Sequence, residues 1–65
     1  MNLSGNLKRL RKKRGFTLER LAFQSGISVS SVVQLESGRN SNPTLDTIER
    51  LAGSLGVKPE ALVRS

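Results

Sequence analysis

Gly15, Gly26, Gly38, Pro43, Gly56 and Pro59 cut the 65-residue chain into stretches about the length of short helices. No other feature limits the fold as strongly. Glycine just past a helical pattern is a C-terminal stop, and proline fits the first turn of a following helix. The stretches between them carry matching signals. Leu3, Leu7 and Leu10 lie at helical spacing, with Ser4 the expected cap and Gly15 the stop. Thr17 is expected to cap a second helix, Glu19 suits its positive first turn, and Leu21 and Ala22 form its inner face. In the fourth stretch Thr44 caps and Asp46 favours the helix start. Leu45, Ile48, Leu51, Ala52 and Leu55 make a wide apolar stripe there. Gly53 weakens that helix by up to ~1 kcal/mol relative to Ala. A last short helix begins at Pro59 and turns Leu62 inward.

The third stretch, "ISVSSVVQLESGR" from Ile27 to Arg39, carries conflicting signals. Ile27, Val29, Val33 and Leu35 share one period-2 face, and β-branched residues favour strands. A lone strand among four helical neighbours would leave its N–H and C=O groups unpaired. Ser28 is a good N-cap and Gly38 a good stop. The stretch therefore reads as a helix over Ser28 to Ser37, with Val32 and Leu35 turned inward. Ser30, Val33, Gln34 and Ser37 then point most outward, and Val29 lies on the flank. No repeat, linker or low-complexity segment is visible, so residues 1–65 read as one all-α domain.

Charge narrows the possible partners. The net charge is +6, and Lys8, Arg9, Arg11, Lys12, Lys13 and Arg14 fill six of seven consecutive positions. From Leu35 to Leu55 only Arg39 and Arg50 stand against Glu36, Asp46 and Glu49. A concentrated basic patch suggests a polyanion. An anionic membrane fits less well, because the basic stretch from Lys8 to Arg14 contains no Trp or Phe of the kind interfacial helices use. There is no cysteine and no histidine, which removes disulfides, thiolate chemistry and the usual soft-metal sites. The five acidic residues are scattered and no nucleophile–base set is present, so an enzyme is not expected. No cofactor and no small-molecule ligand is expected either. No membrane span or signal peptide is visible, which makes a cytoplasmic location the default.

The spacing around Gly26 defines a motif. Ala22 precedes it by four residues, and Val32 and Leu35 lie ten and thirteen after Ala22. Ala22 must be small where two helices cross closely. Gly26 permits the left-handed backbone of a tight turn. Leu21, Ile27, Val32 and Leu35 fill the wedge between the helices. Two helices joined by a short glycine-containing turn form a helix-turn-helix.

The stretch "LKRLRKKRGFTLERLAFQSGISVSSVVQLESGRNSNPTLDTIERLAGSLGV" resembles the Cro/repressor-type helix-turn-helix domain (XRE family) of phage repressors and restriction-modification controller proteins. The resemblance runs from about Leu7 to Leu62. It implies a compact five-helix, lambda-repressor-like domain that binds double-stranded DNA, commonly as a homodimer. The third helix would be the recognition helix in the major groove. The family often joins an arginine of the first helix to a glutamate late in the third, and Arg11 and Glu36 hold those positions. One departure stands out. The family commonly begins its second helix with a glutamine that touches a phosphate, where this chain has Leu18. Either that contact is lost, or a backbone N–H at the helix start beside Thr17 and Leu18 replaces it, or Leu18 meets a partner. Phe23 is also larger and more apolar than usual, and peripheral core filling is expected of it.

By the family's docking geometry Val29, Ser30, Val33 and Gln34 face base edges. The Gln34 amide suits adenine N6 and N7, and the valine methyls suit thymine methyls. Ser31 is expected at a phosphate or a base edge. Arg39 and Asn40 should hold phosphates just after the recognition helix, with Lys12 and Arg14 adding contacts or long-range attraction. The expected dimer interface draws on Leu55, Val57, Ala61, Leu62 and Val63, although some of these must close the monomer core instead. The expected function is sequence-specific DNA binding as a transcription regulator. The alternative is a protein-interaction module on the same fold, an antitoxin or bridging factor, with Leu18 and Phe23 as its contact patch.

Overall fold

The computed structural model describes residues 2–64. Five helices follow in order: α1 (Leu3–Lys13), α2 (Leu18–Ser25), α3 (Val29–Ser37), α4 (Leu45–Leu55) and α5 (Glu60–Val63). No strand occurs among the described residues. The strand-like pattern of the third stretch is thus overridden, and α3 is a helix flanked by caps at both ends. Ser28 Oγ accepts from Ser31 N at 3.1 Å, and Gly38 closes the other end with φ +82°.

Two more caps sit where hydroxyl residues precede apolar periods. Thr17 Oγ1 accepts from Arg20 N at 3.0 Å, and Thr44 Oγ1 from Thr47 N at 3.2 Å. The expected Ser4 cap is corrected. The α1 helix already contains Leu3, which must be helical to share one face with Leu7 and Leu10. Asn2 takes the cap position without a side-chain bond, and its C=O accepts from Asn6 N at 3.0 Å.

The core joins Leu3, Leu7 and Leu10 of α1, Leu21 and Ala22 of α2, Val32 and Leu35 of α3, and Leu51, Ala52 and Leu55 of α4, with Leu62 of α5. The α1 helix packs on α3 and α5, and α2 packs on α3 and α4. Two expectations fail here. Leu45 does not join the apolar stripe: it is 68% exposed, and the packing of α4 on the core begins at Ile48. Leu55 and Leu62, expected at a dimer interface, are fully inside the monomer core. The four-residue α5 can cover the core only by inserting its central leucine. Val57, Ala61 and Val63 remain half-buried at the edge of that core.

Asn6 fastens this last turn. It is a buried polar residue, and its Nδ2 donates to the C=O groups of Leu62 at 2.9 Å and Arg64 at 2.7 Å. Carbonyls at the end of a helix have no partner within it. One amide thereby ties the C-terminal segment to α1, 56 and 58 residues away in sequence.

Candidate nucleic-acid interface

The α3 helix is placed by three constraints. Val32 and Leu35 are buried against the core. The turn at Gly26 holds φ +73°, a left-handed conformation that a residue with a Cβ adopts only at a cost of about 1–2 kcal/mol. Arg50 also closes over this turn, with Nη1 3.1 Å from where a Cβ would stand. The third constraint is ionic. Arg11 Nε donates to Glu36 Oε2 at 2.6 Å and its Nη2 to Oε1 at 3.1 Å, a bidentate pair. The side chains are only 11% and 8% exposed. Arg11 Nη1 also donates to the Phe16 C=O at 2.7 Å. One guanidinium thus joins α1, the loop before α2, and the last turn of α3. Hydrogen bonding to Glu36 raises the Arg11 pKa above its ordinary value; burial opposes this, and the charge of Glu36 adds to the rise.

With α3 fixed, its opposite face is free. Val29 and Val33 are 38% and 42% exposed, and Ser30 and Gln34 beside them are exposed as well. These four residues lie together on the outward face over the first two-thirds of the helix. Ser31 is half-buried and its hydroxyl accepts from Ser28 Oγ at 2.8 Å, so it belongs to the cap. Arg39 and Asn40 are exposed just beyond Gly38, and Asn40 N donates back to the Gln34 C=O at 3.2 Å.

The basic run of α1 divides by task. Arg11 is consumed internally. Arg14 Nη1 donates to the Leu55 C=O at 3.3 Å, and its guanidinium lies 5.5 Å from the Phe16 ring centre. A cation at the C-terminus of α4 is favourably placed against the helix dipole. Arg14 thus has a structural task that sequence reasoning did not assign. Lys8, Lys12 and Lys13 are exposed. An open groove at the N-terminus of α2 is lined by Arg14, Gly15, Phe16, Thr17 and Arg20. Arg20 adds a second cation there that sequence reasoning missed. Leu18 packs against the edge of the core rather than standing free. Phe23 contradicts the expected core filling: it is 82% exposed, because Leu21, Ala22 and Ser25 already take the inner face of α2. No cluster of acidic side chains that would hold a metal ion occurs among the described residues, and none of their helices is long and apolar enough to cross a membrane.

Five helices in this order, with a tight glycine turn between the second and a braced, outward-facing third, define a helix-turn-helix domain. The chain belongs to the helix-turn-helix family of Cro/repressor type, whose profile matches residues 7–62. It is 41% identical over 61 residues to an uncharacterized HTH-type transcriptional regulator, y4dJ, of Sinorhizobium fredii (strain NBRC 101917 / NGR234); the match covers 94% of this chain and 78% of that protein. It is 36% identical over 63 residues to the immunity repressor protein of Bacillus phage phi105, covering 97% of this chain and 43% of the repressor. The chain thus spans less than half the length of that repressor. Among solved structures it superposes with a TM-score of 0.92 on SinR, a master regulator for biofilm formation, in complex with DNA. That match is 26% identical and covers 95% of this chain and 98% of the other.

Proposed function

We propose that this chain is a sequence-specific double-stranded DNA-binding transcription regulator, with α3 entering the major groove. The observation that carries this reading is the exposed face of α3, where Val29, Ser30, Val33 and Gln34 stand clear of a helix held rigid from behind. The likeness to a protein solved on DNA supports it. Arg39 and Asn40 follow that helix and suit phosphates; Lys12, the groove at the start of α2 with Thr17 and Arg14, and the backbone N–H of Leu18 offer a second anchor. We place Ser31 with the cap rather than with a phosphate. Two copies on a pseudo-palindrome would bring two such helices to half-sites about 34 Å apart. Val57, Ala61 and Val63 are the residues left for their contact. One domain, cytoplasmic location and the absence of catalysis complete the proposal.

Selection from random duplexes, followed by a salt titration on the winner, tests it. A palindromic site should enrich. With about six phosphates neutralised per dimer, log K should fall against log salt with a slope near −5. A slope near zero would remove the phosphate contacts from the mechanism.

The exposure of Phe23 favours a second reading, a protein-contact surface on the same fold. Leu18 no longer extends that patch, since it packs against the core. If this reading held, Phe23→Ser would abolish partner binding and leave DNA selection unchanged.

A further inference from the structure

The charged groups of α3 are already engaged, and this limits which bases the helix can read. Guanine offers two acceptors in the major groove and is met best by arginine or lysine; cytosine N4 is met by a carboxylate. The α3 helix contains no cation, and its one carboxylate, Glu36, has both oxygens on Arg11. Arg11 itself is held behind the helix. Arg39 lies past the left-handed Gly38, at the opposite end from the N-terminal residues that contact base edges in a helix-turn-helix. The hydroxyls are partly occupied too: Ser28 donates to Ser31, and Ser37 donates to the Gln34 C=O at 3.1 Å.

What remains is one amide, the Ser30 hydroxyl, which can meet any base, and four methyl groups. Val29 and Val33 stand one turn apart on the same side of the helix, with Cβ atoms about 5–6 Å apart. Valine is nearly confined to one χ1 rotamer in a helix, so these methyls are fixed before any DNA arrives. Gln34 is adjacent.

We infer that α3 reads A·T pairs by their pyrimidine C5-methyl groups, with Val29 and Val33 as the methyl-reading residues and Gln34 placed on adenine. This rests on the DNA-binding reading above. The ligand feature is the methyl group itself, so thymine and 5-methylcytosine should share it.

The test uses the full chain and the duplex enriched from a random pool. Thymines are replaced one at a time by deoxyuracil, which keeps the pairing and removes only the methyl. At one or two positions per half-site affinity should fall about fourfold, the fold-change equal to about 0.8 kcal/mol. At those positions a 5-methylcytosine·guanine pair should bind more tightly than cytosine·guanine. Val33→Ala should abolish the deoxyuracil effect at one position. Val33→Thr, which keeps the β-branch and replaces one methyl by a hydroxyl, should reduce it while preserving the helix by circular dichroism. Affinity indifferent to deoxyuracil, or a deoxyuracil effect of full size in both Val33 and Val29 variants, would overturn the inference and leave DNA binding standing. A pool from which no duplex enriches would defeat the DNA-binding reading and this one with it.

Discussion

Glu36 sits at the last turn of α3 with both oxygens on a single guanidinium, and almost none of either side chain reaches solvent. Removing one partner of such a pair strands the other charge, at about 3–5 kcal/mol. A chain of this length has a total stability of only about 3–10 kcal/mol. Glu36→Gln should therefore melt far below the parent, or be unfolded at room temperature, in a thermal or urea titration. Equal melting temperatures would show that the pair contributes little. Replacing both partners together, Arg11→Met with Glu36→Leu, should recover most of the loss, because no charge is then left buried. The alkaline side follows from the direction of the Arg11 shift. A cation whose folded pKa is raised contributes its full stability below its unfolded pKa and loses it only as pH rises through the folded value. The Glu36→Gln deficit should thus be the same at neutral and mildly alkaline pH.

At the scale of elements, two glycines make opposite predictions. Gly53 lies inside α4 with ordinary helical backbone, and a Cβ there would meet nothing within 4 Å. Gly53→Ala should stabilise the chain by up to ~1 kcal/mol, seen as a melting temperature raised by no more than roughly 4–8 °C. Gly26 holds a positive φ, so Gly26→Ala should destabilise by about 1–2 kcal/mol and loosen the α2–α3 turn. A rise in stability on that substitution would show that the turn relaxes without strain. Helices such as these were largely legible in the sequence, because caps and stops act within three or four residues. Thr17, Ser28 and Thr44 all cap through the amide three positions on. The outward face of α3 was legible for the same reason: helical period alone assigns it. What was hidden depends on distant partners. Arg14 finds its carbonyl 41 residues away and Asn6 finds its two at 56 and 58, and no local pattern marks such pairs. Phe23 and Leu45 were misjudged because an apolar side chain does not by itself mark burial: Leu21, Ala22 and Ser25 fill the inner face of α2, and the packing of α4 begins only at Ile48. Asn6→Leu should leave the Leu62 and Arg64 carbonyls unpaired, at about 1–3 kcal/mol. Faster amide exchange in α5 than in α2–α4 would report the lost clasp.

The size of the whole molecule sets how two copies can meet. The body measures 24 × 22 × 19 Å. Recognition helices in adjacent major grooves on one face of DNA stand about 34 Å apart. In the proposed dimer, bodies no longer than 24 Å reach each other only by leaning together from their grooves, so that the contact runs along an edge. The apolar residues left for the edge are Val57, Ala61 and Val63, all half-buried, because Leu55 and Leu62 are spent on the monomer core. Such a contact is small, below the roughly 1,200 Å² usual for stable protein complexes. It gains force only when DNA holds both copies, since the second then binds at an effective concentration in the millimolar range. The expected outcome is a monomer by analytical ultracentrifugation at micromolar concentration and a steep, two-copy isotherm on the palindrome. On a duplex carrying one half-site the isotherm should be shallow. Val63→Asp should flatten the first isotherm towards the second while leaving half-site affinity nearly unchanged, because that position is remote in sequence from the α3 face. If Val63→Asp instead weakened both duplexes equally, the C-terminal edge would be supporting the fold or the DNA contact, and the dimer would have to be sought on another face, where Phe23 is the largest exposed apolar side chain.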